Sequence, residues 1–133
     1  MRGLVMGDLT IEVREDTGQV LELHWFGSSN NQAPAESLRS FFDVALAEAA
    51  ARKLRLAMHF ERLQYFNSST VVVLLAFLRG AAGRGVSITF CYDPSLRWQA
   101  HNFVALQQME KDNPSFTIVE IGAGSPPEVI GDP

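Results

Sequence analysis

The sequence predicts an α/β domain on a mainly parallel sheet, and three observations carry that expectation. Short segments in which apolar and polar residues alternate recur along the chain. Longer segments between them repeat apolar residues at helical spacing. After an opening pair of strands the two kinds alternate, in the order β-β-α-β-α-β-α-β, which calls for right-handed crossovers with helices packed on the sheet.

Leu9, Ile11 and Val13 alternate with Thr10, Glu12 and Arg14. A turn around Gly18 follows, then Leu21, Leu23 and Trp25 alternate with Glu22, His24 and Phe26, completing a β-hairpin. The polar stretch "GSSNNQAPAES" connects to the clearest helix. There Leu38, Phe41, Phe42, Ala45, Leu46 and Ala49 form one apolar stripe, with Pro34 and Glu36 suited to its start. Leu54, Leu56, Met58 and Phe60 read as the third strand. Thr70 to Ala82 is apolar on every side from Val71 to Leu78; its three valines favour a strand by propensity, but its length favours a buried helix. Arg79 to Gly85 supplies the stop. Val86, Ile88 and Phe90 mark the fourth strand. Asp93-Pro94 reads as a capped helix start, with Leu96, Ala100, Phe103 and Leu106 lining the third helix. "SFTIVEI" is the last strand. Residues 1–121 are expected to form one domain and 122–133 a flexible Gly/Pro-rich tail.

Bulk properties narrow the function. A chain of 133 residues suffices for one core without metals or staples, and 47% hydrophobic with 20% charged residues excludes global disorder. The net charge of -4 and the lack of a Lys/Arg cluster beyond Arg52-Lys53 and Arg55 argue against nucleic acid. Cys91 alone permits no internal disulfide and fits a reducing compartment. The N-terminus lacks the apolar stretch of a signal peptide, and no apolar run approaches the ~20 residues of a membrane span. A cytoplasmic protein without membrane insertion is expected.

Little in the chain reads as catalysis. "GAAGRG" follows a helix rather than opening one, so it is not a phosphate loop. His24, His59 and His101 lie far apart and share no ligand spacing with Cys91, so no metal site is expected. Glu48, Glu61 and Glu110 form no readable acid/base pair. Ser68 lacks a nucleophile-elbow context. Trp25 and Trp98 could stack on a ligand, but core packing is the simpler reading. The expectation is a protein that is not an enzyme and needs no cofactor.

The stretch "QYFNSSTVVVLLAFL" stands apart, because Asn67, Ser68, Ser69 and Thr70 crowd the lip of a buried helix. Capping needs only one such residue, since Asn or Ser satisfies first-turn N–H groups. Ser68 would also sit where a helix dipole favours an added phosphate.

A strand, Phe66-Asn67-Ser68-Ser69-Thr70, an apolar helix, a Gly-rich stop and a short strand together resemble the STAS domain of anti-sigma factor antagonists. "YFNSS" is also similar to the "YFNT" stretch of SiaC-type bacterial signalling regulators, as is the loop "FGSSNNQAPAESLRSFF". In the antagonists the strand ends in Asp-Ser-[Ser/Thr]-Gly, and a partner kinase phosphorylates the serine after the aspartate. Ser68 takes that place, whereas Asn67 replaces the acidic residue and Thr70 the glycine.

The resemblance implies a STAS-like domain with a mixed sheet of four to five strands and helices mainly on one face. It implies a partner-switching regulator, phosphorylated at Ser68, that binds partners through Asn67, Ser68, Ser69 and Thr70. The implied partners are a serine kinase of the histidine-kinase-like ATPase class, a serine phosphatase, and an output protein such as an anti-sigma factor or a signalling enzyme. Two alternatives stay open: a constitutive STAS-type subunit of an assembly such as a transport ATPase, and a small-ligand-binding module.

Overall fold

The computed structural model describes residues 1–15, 17–30 and 35–121. Pro34 and the expected tail at 122–133 lie outside them. Ten elements follow one another: β1 (Leu4–Met6), β2 (Leu9–Arg14), β3 (Val20–Ser29), α1 (Ala35–Arg52), β4 (Arg55–His59), β5 (Leu63–Phe66), α2 (Ser68–Ala81), β6 (Ile88–Tyr92), α3 (Arg97–Asp112) and β7 (Phe116–Glu120). One mixed sheet runs β1-β2-β3-β4-β6-β7, with β5 paired to the far end of β3. The first three strands are antiparallel; from β3 onward every pairing is parallel.

The sheet thus has seven strands instead of four to five. The additions are β1, of three residues, and β5, of four, each too short to show a period. Gly18, with φ 69°, makes the expected turn. Gly27 does a job that sequence did not assign. Its φ is 82°, and a Cβ there would lie 1.9 Å from the Asp8 carbonyl oxygen. The register between β3 and β5 shifts at Gly27/Ser28, so this irregularity aims the end of β3 at β5.

Leu21, Leu23 and Trp25 of β3 point to the same core as Leu56 and Met58 of β4 and Ile88 and Phe90 of β6. All six stripe residues of α1 are buried in it. Helix α2 is a helix despite its valines and adds Val73, Leu74, Phe77 and Leu78. Packing on one side of the sheet outweighs the weak strand preference of valine. It is not buried all round, however: Val72 is 63% exposed and Ala76 is also on the surface.

Helix α3 begins at Arg97, later than the Asp93-Pro94 start that the sequence suggests. Asp93 caps a turn instead, its Oδ1 accepting from the Ser95 N–H at 2.9 Å and from the Ser95 hydroxyl at 2.7 Å. Asp-Pro-Ser suits a turn as well as a helix start, because both need a side-chain acceptor for free N–H groups. The buried Gln99 then locks α3 down: its amide donates to the Phe60 carbonyl at 2.6 Å and accepts from the Asp93 N–H at 2.7 Å.

His24 and His59 are not far apart. They are register partners on β3 and β4, and their rings stack 4.3 Å apart. The two tryptophans meet different neighbours. Trp25 is fully buried against Phe42 and Phe60, whereas Trp98 packs on Tyr65 and Phe66. No helix among the described residues is long and apolar enough to cross a membrane.

Candidate functional site

The lip of α2 is built from the end of β3 and the exit of β5. Ser29 is the register partner of Phe66, and the Ser29 carbonyl accepts from the Asn67 N–H at 3.0 Å. Asn67 then leaves the strand in an extended conformation and caps the helix. Its Oδ1 accepts from the Thr70 N–H at 3.1 Å and from the Thr70 hydroxyl at 2.9 Å. The cap is therefore Asn67 rather than a serine, and Ser68 is free of that duty.

Thr70 is turned into the protein, with 0% exposure. Its Oγ1 lies 2.7 Å from the Ser29 hydroxyl, which is itself buried. The two buried hydroxyls and the partly buried Asn67 amide form a polar knot under the first turn. A buried network of this kind stabilises only while every member keeps its partners.

The four polar residues divide accordingly. Asn67 and Thr70 shape the turn from beneath. Ser68, the first helical residue, is exposed, and Ser69 is half-buried. From Ser68 the outer face of α2 continues one turn at a time through Val72 and Ala76 to Arg79, all exposed. Tyr65, 45% exposed, flanks the lip and packs on Trp98. The first turn of α2 carries no acidic side chain, so nothing on the helix itself offsets the positive end of its dipole.

No family model matches the sequence, and no curated protein does. Solved structures do match. An anti-sigma factor antagonist from Mycobacterium paratuberculosis superposes with a TM-score of 0.61 at 15% identity, covering 89% of this chain and 92% of that one. The anti-sigma factor antagonist SpoIIAA in its unphosphorylated form gives 0.58 at 17% identity, over 92% and 93% of the two chains. The fold is the STAS-type fold of the anti-sigma factor antagonists. SpoIIAA in its phosphorylated form, described as a Bacillus cell fate determinant, gives 0.55 at 19% identity over 92% and 96%.

Within this STAS-type fold, sequence located the polar lip but missed two of its parts. Ser29 was invisible because only the pairing of β3 with β5 brings it beneath α2. Val72 was hidden inside an unbroken apolar run, where nothing marks which valine faces out.

Proposed function

We propose that the chain is a non-catalytic, cytoplasmic partner-switching regulator whose binding is controlled by phosphorylation of Ser68. The observation that supports this most directly is the division of hydroxyls at the lip of α2. Ser68 is exposed at the first helical position, while Thr70 two residues on is sealed inside. A kinase can reach the former and not the latter. The fold likeness includes a protein solved in both phosphorylated and unphosphorylated forms.

The helix dipole favours a group carrying about -1.5 to -2 charges at this place. A partner that packs apolar surface on Ser68, Val72 and Ala76 has no such accommodation, and desolvating the charge would oppose the contact. The proposed partners are the kinase, the phosphatase and the output protein named above, with Ser68 and Ser69 in contact and Asn67 and Thr70 holding the turn.

The test is a pull-down from the native host with phosphosite mass spectrometry. Phosphate on Ser68 is expected, together with co-purifying kinase and output protein. Ser68→Asp should weaken output-partner binding at least tenfold, which corresponds to about 1.4 kcal/mol, with unfolding temperature little changed. Phosphate found only on Ser69, or wild-type partner binding by Ser68→Asp, would defeat the assignment. An absence of phosphate with a stable stoichiometric partner would favour the constitutive-subunit reading.

A further inference from the structure

The sheet face turned away from the helices carries a row of side chains that the proposed regulation does not use. Register pairing sets His24 of β3 beside His59 of β4, and His59 beside Cys91 of β6. Alternation along each strand sends their neighbours Leu23, Met58 and Phe90 into the core and these three to the other side. The imidazoles are nearly parallel, at 3°, with their centroids 4.3 Å apart.

Two carboxylates bracket the pair. Glu22, two residues before His24 on the same face, places Oε1 2.7 Å from His24 Nε2 and 3.8 Å from His59 Nε2. Both imidazoles thus aim the same nitrogen at one oxygen. On the other side of His59, Glu61 Oε2 lies 3.1 Å from Nδ1. The second oxygen of Glu61 is buried without a hydrogen-bond partner among the described residues.

We propose that Glu22, His24 and His59 form a binding site for a borderline divalent transition metal, zinc foremost, with Glu61 as the residue that positions His59. The donor atoms of all three lie within 4.8 Å of one another. Two imidazoles and a carboxylate are a donor set suited to zinc and poorly suited to magnesium or calcium, which prefer oxygen alone. A carboxylate on Nδ1 fixes the tautomer that leaves Nε2 free to ligate, as is general for histidine ligands.

The three residues are half-buried, with side-chain exposures of 22%, 12% and 14%, so the site is shielded yet reachable from water. The consequence of occupancy is structural in the plain sense: one ion would cross-link β3 to β4. This site is separate from Ser68 and does not depend on the regulatory reading.

The experiment is a titration of the untagged full chain with zinc chloride against a chromophoric chelator. Saturation at one equivalent is expected, with magnesium giving none. His24→Gln, His59→Gln and Glu22→Gln should each weaken binding at least a hundredfold, and Glu61→Gln about tenfold to a hundredfold. His101→Gln, on the exposed side of α3, should leave it unchanged, and Cys91→Ser should hold it within tenfold. In the unaltered protein, zinc should shift the imidazole resonances of His24 and His59 but not those of His101, a readout independent of whether the variants fold. Binding that survives His24→Gln and His59→Gln, loss on Cys91→Ser, or unmoved imidazole resonances would overturn the assignment.

Discussion

Thr70 buries a hydroxyl where valine would fill nearly the same space, so its polarity must be sustained by partners. Those partners are Asn67 and Ser29. Thr70→Val should leave the Ser29 hydroxyl without its closest partner and cost about 1–3 kcal/mol, read from the urea midpoint. Asn67→Ala removes the cap and should cost about 0.5–2 kcal/mol, whereas Ser68→Ala, exposed and relieved of capping, should stay within about 0.5 kcal/mol. A loss at Ser68→Ala as large as at Asn67→Ala would show that the cap is shared. Adjacent residues in one polar run thus answer to separate demands, two for the fold and one for access.

Helix α2 shows how an element can be both core and surface. Leu74 is fully buried, and Leu74→Ala should cost about 2–5 kcal/mol. Val72→Ala, two residues away on the outer face, should leave the unfolding midpoint almost unmoved while, on the proposed reading, weakening capture of an output partner. Equal destabilisation by the two changes would contradict the exposure of Val72. The stripe of α1 could be read from sequence because its polar residues mark the opposite face. The type of α2 was legible from its length, but its orientation was not, since an unbroken apolar run carries no face. Strands β1 and β5 escaped because three and four residues hold too few alternations. The start of α3 was misplaced because the acceptor chemistry of Asp93 serves a turn equally well. The pairing of His24 with His59 is a product of sheet register, which no local spacing encodes.

At the scale of the molecule, the two faces of the sheet are built of unlike residues. One face carries the hydrophobic core and presents α2 at its rim; the other gathers His24, His59, Glu22 and Glu61. Amide spectra of Ser68→Asp should differ from wild type only around Asn67 to Val72 and the end of β3, with the histidine face unchanged. Shifts spread across the sheet would point to a conformational relay. The reason to expect confinement is the fastening of Asn67 and Thr70 to Ser29, which clamps the helix start to a strand in the middle of the sheet. On the proposed reading, that clamp also governs time. A switch that stores its state in an altered shape can relax by itself, at a rate the protein sets. A mark on a rigid support has nothing to relax, and a phosphoserine ester would persist until an enzyme cleaved it. The duration of the signal would then be written in the abundance of the phosphatase, and not in this chain.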